Sequence, residues 1–434
     1  MREEDKLSFA GDVKIDDCTL ISIASGNSLN ITNQILSIQI FEDLFSPFIS
    51  GNIIMKESLD IINSLPITGQ EWLDLQIRTP TFDESEDIKG RFFVYKVSDR
   101  DYVAERNVVY KLHFISEHAL KDASTIISKG YKGKVSEIAK QILTDWVGED
   151  NIGDIEETNN SNRYVSNFWT PSKNLNFLCN NAINMDDSPS YLSFQNREGF
   201  NFKSLHKMYK SASKQLFNYN FKGRDILPTG QAVRLVDNDY KRINTIELPD
   251  SFDNVYKMTK GAFASTLHSY DVVSKEYKVD KFQYRDKFDD PKRAHLNEYP
   301  LTPTKMEEYF NPKASVLTDF RQYGIFNQYG DVSNYRVMQE RISMLIQAEG
   351  ISIRIVVPGR TDYTVGQKVE VEIMKPEPTS GNDEVEEQRD NTFSGNYLIA
   401  AINHNINRER HECSIELIKD SWLKNVDNFS ESTR

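Results

Sequence analysis

Residues 170–202 read TPSKNLNFLCNNAINMDDSPSYLSFQNREGFNF, and a change of period inside this stretch sets the fold class. Thr170 can accept a hydrogen bond as a helix N-cap, and Pro171 suits the first helical position, where its missing N–H is not needed. Leu175, Leu178, Ala182 and Met185 follow at spacings of three and four, so they share one helical face. Asp186, Asp187, Ser188 and Pro189 stop that run. From Tyr191 the period is two, through Leu192, Ser193 and Phe194, a turn at Asn196–Gly199, and then Phe200 and Phe202. A helix that feeds a hairpin is an α+β unit. By its residues alone, such a unit is an ordinary packing module.

Upstream, Val135, Ile138, Ala139, Ile142, Leu143, Trp146 and Val147 fall on one helical face, and Gly148 closes that helix. The polar segment Glu149–Arg163 reads as a loop. Towards the N-terminus the pattern is β-rich, with strands at Cys18–Ile23, Leu36–Ile40, Asn52–Lys56, Trp72–Arg78, Gly90–Ser98 and Asn107–Ile115. Trp72, Asp74, Gln76 and Arg78 take one side of their strand, and Leu73, Leu75 and Ile77 the other. The segments FEDLFSPFISG (41–51) and NSLPITG (63–69) read as loop and turn. Strands at this spacing predict a barrel or a sandwich.

Downstream, Asp250–Tyr284 reads as short amphipathic strands with Gly261, Ala264 and Asp271 between them, and Phe288–Gln328 as an irregular connector. Asn334–Gln347 is helical, with Val337, Arg341, Met344 and Leu345 at helical spacing. Strands follow at Ile351–Val357, Lys368–Ile373, Tyr397–Ile402 and Glu412–Ile418. Between them Glu377–Asp390 carries six acids against one Arg and reads as a solvated loop.

The 434 residues allow two to four domains, and 38% apolar content is enough for packed cores. The net charge of -13 argues against general binding to DNA or anionic membranes. Three scattered cysteines, Cys18, Cys179 and Cys413, argue against a disulfide framework and against a zinc cluster. The N-terminal residues have no apolar signal-peptide core, and no run is apolar enough to span a membrane.

Two groups of residues resemble the central hub proteins of contractile tails, a family related to the hub part of type VI secretion spike proteins. The first is Ile40, Glu42, Pro47, Gly51, Ile53–Met55, Leu65-Pro66, Gly69 and Glu71, with Glu57 where the family often has Asp. The second is Val357-Pro358-Gly359, Val365-Gly366, Tyr397–Ile399, His404 and Asp420-Ser421, with Asn396 separating Gly395 from Tyr397. The helix and hairpin of residues 170–202 also match the family. The resemblance covers most of the chain. It implies a β-rich α+β protein with two tube-type β-barrel domains and smaller α+β domains inserted. The expected division is 1–118 (first barrel), 119–205 (small α+β domain), 206–250 (start of the second barrel), 251–345 (insertion and connector), 346–424 (rest of the second barrel) and 425–434 (polar tail).

The resemblance further implies a structural baseplate hub: a homotrimeric ring that adapts a six-fold tail tube to a three-fold central spike and leaves a lumen for DNA. The expected partners are the spike, tail tube or tube-initiator proteins and other baseplate proteins, with no sequence-specific DNA binding and no membrane insertion. The expected location is the virion tail baseplate, after synthesis in the host bacterial cytoplasm. Type VI spike chains usually continue into an OB-fold and a β-helix, whereas this sequence stops soon after Asp420-Ser421. That favours the phage hub over a type VI-like or extracellular injection system. The candidate interface comprises Leu36, Ile38 and Ile40, then Lys368, Val369 and Val371 as tube wall, and Lys203, Lys207 and Lys210. These last belong to a run, 203–224, with six Lys/Arg and no acid. The run reads as a solvated face or as a dock for an acidic partner.

No catalytic motif is present, which argues against a tail-associated peptidoglycan hydrolase, and no cofactor is expected. Asp186-Asp187 read as a helix end, because acid/base work on a glycoside needs carboxyl groups facing across a cleft. His404 and His411 flank a turn and can meet across a hairpin, with Cys413 the soft group nearby; the expectation is no metal.

Overall fold

The computed structural model describes residues 7–57, 67–104, 107–219, 236–249, 253–270, 275, 277–284, 286, 293–295, 316–320, 334–375, 389–421 and 423. The first strand set is β1 (Lys14–Ile21), β2 (Ser28–Asn30), β3 (Ile35–Asp43), β4 (Ser50–Glu57), β5 (Glu71–Arg78), β6 (Ile88–Ala104) and β7 (Asn107–Ser116). Burial alternates along β5 and β7 as period-two side-chain direction requires. Leu20, Ile38, Ile40, Ile53, Leu73 and Phe114 are among the side chains of their common core. β3 runs through Phe41–Asp43, residues read from sequence as loop, because β20 pairs with all three. Residues 63–66 of the expected turn lie outside the described residues.

The second set is β13 (Ser213–Tyr219), β14 (Thr245–Glu247), β18 (Ile351–Pro358), β19 (Lys368–Ile373), β20 (Gly395–Asn407) and β21 (His411–Lys419). It packs around its own core, which includes Ile353, Ile355, Val369, Val371, Tyr397 and Leu417. The two sets form one sheet in the order β14-β18-β21-β20-β3-β4-β7-β6-β5-β1-β2, with β19 pairing β20 and β13 pairing β19 in parallel. The seam between the sets is the antiparallel β3–β20 ladder, from Ala401↔Asp43 to Asn407↔Ser37.

Between the sets lies a small α+β module. It contains α1 (Glu117–Ser124), β8 (Gly130–Lys134), α2 (Val135–Val147), β9 (Ile152–Ile155), β10 (Ser161–Val165), α3 (Pro171–Cys179), β11 (Tyr191–Asn196) and β12 (Gly199–Ser204), followed by α4 (Leu205–Lys210). All seven apolar positions of α2 are buried. The segment 149–163 is not a plain loop. β9 pairs in parallel with β12, and β10 pairs with β8; both partners are distant in sequence, so local polarity hid them.

α3 starts as its sequence dictates, with Lys173 N donating to Thr170 Oγ1, but it ends at Cys179 rather than at Met185. The Asn180–Asn184 run supplies the reason. Asn181 Nδ2 donates back to the Phe177 carbonyl at 2.5 Å, and Asn184 Oδ1 accepts from Asp186 N and Ser188 N at 2.9 and 2.8 Å. Short amide side chains here replace helical hydrogen bonds with turn ones. Ala182 is still buried, but Met185 is exposed.

A further segment holds α5 (Val236–Lys241), α6 (Asn254–Thr259), β15 (Ala264–Tyr270), β16 (Tyr277–Gln283), β17 (Val316–Phe320) and α7 (Asn334–Ala348). Residues 254–259 are helical where strands were expected, with Asp253 accepting from Tyr256 N as N-cap. Ala264 opens β15 instead of separating two strands, and β17, inside the expected connector, pairs in parallel with β15. Asp271 and the acidic residues 377–387 lie outside the described residues. No helix among the described residues is long and apolar enough to cross a membrane.

Candidate functional site: the seam between the two cores

Glu42 on β3 points into the seam and is buried. Its carboxylate accepts from Thr364 Oγ1 and, at 3.2 Å, from Val365 N in the turn that precedes β19. Burial raises its pKa from 4.5 to about 7, against the opposing pull of these two donors and of Arg197. Other ties lie nearby. Thr79 N donates to Thr361 Oγ1 at 3.4 Å, and Thr361 N donates to Thr79 Oγ1 at 3.1 Å. Arg197, in the β11–β12 turn, donates to the Ser85 carbonyl at 2.5 Å, and Arg408 Nε to the Ile35 carbonyl at 3.1 Å.

Because the folded-state pKa of Glu42 exceeds the unfolded one, the group costs no stability below pH 4.5. It costs progressively more up to about pH 7 and a constant amount above that. The full difference is on the order of 3 kcal/mol. Glu42→Gln keeps an acceptor for Val365 N but cannot ionise. Its stability relative to the native chain is therefore expected to rise between pH 4.5 and about 7, read from denaturation midpoints across that window. A constant difference would refute the assignment.

The motif residues have local jobs. Glu71 gathers Thr68 N at 2.6 Å and Gly69 N and Gln70 N at 3.0 Å, so its carboxylate holds the turn before β5. Asp420 accepts from Arg293 Nη1 at 3.3 Å and Ala294 N at 3.0 Å, and Ser421 Oγ accepts from His295 N at 2.7 Å. Sequence reading found Glu42, Glu71 and Asp420 through the resemblance but not their partners. It placed Arg341 on a helical face but not its role: Arg341 is buried on α7 and donates to Asn180 Oδ1, the Pro189 carbonyl and the Tyr191 carbonyl at 3.0, 2.9 and 2.7 Å.

The candidate interface residues do not converge. Leu36 is exposed on β3, while Ile38 and Ile40 face the first core; Val369 and Val371 face the second. These four side chains hold the sheet from inside and present nothing outward. Lys368 Nζ donates to the Tyr209 carbonyl at 3.0 Å. In the basic run, Lys207 pairs with Asp154 at 2.6 Å, with Lys203 at 4.0 Å from the same acid, Lys210 pairs with Asp186 at 3.1 Å and Lys214 with Asp362 at 2.7 Å. Residues 222 and 224 lie outside the described residues. Asp186 and Asp187 sit exposed on a turn, Asp187 with φ 58°, and not across a cleft. His404 and His411 do meet across the β20–β21 hairpin, with Nδ1 to Nε2 at 3.0 Å.

No family model matches the chain. The fold is similar to that of two solved tail proteins. The tail protein from Neisseria meningitidis MC58 shares it with a TM-score of 0.53 at 10% identity, over 93% of this chain and 96% of that one. The prophage MuSo2 43 kDa tail protein from Shewanella oneidensis gives 0.52 at 9% identity, over 93% and 98%. In sequence the chain is similar to the "Probable baseplate hub protein gp334" of Vibrio phage KVP40, 19% identical over 412 residues, which is 90% of this chain and 91% of that one. The motif resemblance to baseplate hub proteins and the strand-rich α+β class are thus borne out.

Proposed function

We propose that this protein is a structural hub of a contractile phage tail baseplate, acting through assembly rather than catalysis. The observation that carries the reading is the pairing of two strand sets, each with its own core, on one sheet. Similarity to a baseplate hub relative along nine-tenths of the chain supports it. In this reading each strand set is a tube-type barrel domain. Three chains then offer six wall units to a tail tube above and three-fold symmetry to a central spike below, with a lumen wide enough for DNA. Tube-initiator and other baseplate proteins would dock around the ring, in the virion, after synthesis in the host cytoplasm. β3 and β19 line the wall through their outward residues, Leu36 and Lys368 among them, while Lys203, Lys207 and Lys210 tie β12 and α4 to Asp154 and Asp186 of the small module.

Physical reasoning favours a closed ring. Short strands such as β2 and β14 end the sheet, and unpaired sheet edges invite further pairing unless a neighbour covers them. Head-to-tail contacts that close give every edge a neighbour. Light scattering on the purified chain, alone and with its spike, is expected to show a trimer of 50.1-kDa chains in at least one of the two conditions. A stable dimer in both would overturn the reading.

A further inference from the structure

We propose that His404, His411 and Cys413 form a three-ligand site for a single late transition-metal ion, Zn²⁺ or Cu⁺, inside the β20–β21 hairpin. Strand register brings them together. His404 and Cys413 are direct cross-strand partners, and His411 lies two residues before Cys413, on the same face of β21. All three are fully buried.

Their facing atoms form a small triangle. Nδ1 of His404 is 3.0 Å from Nε2 of His411, and Sγ of Cys413 is 3.3 and 3.4 Å from those two nitrogens. With metal–nitrogen bonds of about 2.0–2.1 Å and a metal–sulfur bond of about 2.3 Å, these edges correspond to ligand–metal–ligand angles of roughly 95–105°. One ion at the centre accounts for all three separations. Hydrogen bonds account for them less well. Each facing ring nitrogen is either a donor or an acceptor, so at most two protons serve the three short edges.

Nδ1 of His404 and Nε2 of His411 both face the Cys413 sulfur, so the lone pairs of neutral rings can meet one ion there. Binding would release the thiol proton and form one metal–sulfur and two metal–nitrogen bonds, with no change of oxidation state. Imidazole with thiolate is the donor set that zinc and copper prefer. Because the triangle is sealed from solvent, the ion enters as the chain folds. It then staples β20, the strand that both cores share.

The test uses the full-length chain without an affinity tag, expressed in medium supplemented with zinc or copper, followed by elemental analysis. The expected result is one ion per chain, with the element telling Zn²⁺ from Cu⁺. Refolding in Co²⁺ should add a thiolate-to-cobalt charge-transfer band that Cys413→Ser lacks and Cys179→Ala keeps. Cys179 is a buried thiol elsewhere, so its variant controls for non-specific binding. Folded native chain that carries well under one ion and shows no band after refolding in Co²⁺ would overturn the site, as would a band lost equally in Cys179→Ala.

Discussion

Gly51→Val is expected to destroy the first core, with a loss of at least about 3 kcal/mol. Gly51 lies on β4 opposite Ile40 on one side and Phe114 on the other. A Cβ built there meets the Gln39 carbonyl oxygen and the Phe114 ring, with Phe114 Cε2 at 2.7 Å. Neither neighbour can yield cheaply. The carbonyl belongs to β3, which is pinned between β4 and β20. Phe114 is fully buried, with its ring edge-on to Phe92 at a centroid distance of 4.9 Å. Against a typical total stability of about 5–15 kcal/mol, such overpacking removes much of the margin. Gly130→Val is the control, since a Cβ at Gly130 meets nothing within 4 Å. Circular dichroism during urea unfolding should show a collapsed midpoint for the first variant and a nearly native one for the control. Equal midpoints would show that β3 and β4 can part without penalty.

Arg341→Met is expected to cost about 3 kcal/mol. The guanidinium is buried and gives three hydrogen bonds to Asn180, Pro189 and Tyr191. The three acceptors run from the residue after α3 to the first residue of β11. Methionine fills similar space and removes the buried charge, whose desolvation had lowered the arginine pKa, so part of the loss is offset. The orphaned Pro189 and Tyr191 carbonyls remain, and they decide the sign. Arg341→Lys should recover only a fraction, because an ammonium lacks the planar fork that serves three acceptors at once. Thermal unfolding of the three proteins orders them, and a methionine variant as stable as the native chain would show that the clamp is not needed.

How much of this was legible from sequence depends on the distance between partners. Trp72–Arg78 and Val135–Val147 bury the residues their own periods specify. The hairpin of residues 191–204 was equally plain. Local chemistry misled at Asn180–Asn184, where apolar spacing continued but the amide side chains bent the backbone away. β9 was invisible because its four residues become a strand only beside β12. The basic run looked like a free cationic surface because its acids, Asp154, Asp186 and Asp362, are up to 150 residues away. At the seam, the resemblance marked Glu42, but nothing in the local sequence announced Thr364 as its donor, 322 positions on. The His404–His411–Cys413 triangle was half legible: period two placed the side chains on one face, while their closeness needed the register.

The β3–β20 seam makes the molecule indivisible. Each strand is the other's cover along seven consecutive residue pairs. A chain severed between the two sets would leave a long, open edge on each piece. Each edge is complementary to its lost half and able to pair promiscuously with other strands. Two halves supplied as separate polypeptides would therefore have to meet before either could stay in solution. A strand set of this design cannot be borrowed singly: what is inherited or transplanted must be the pair.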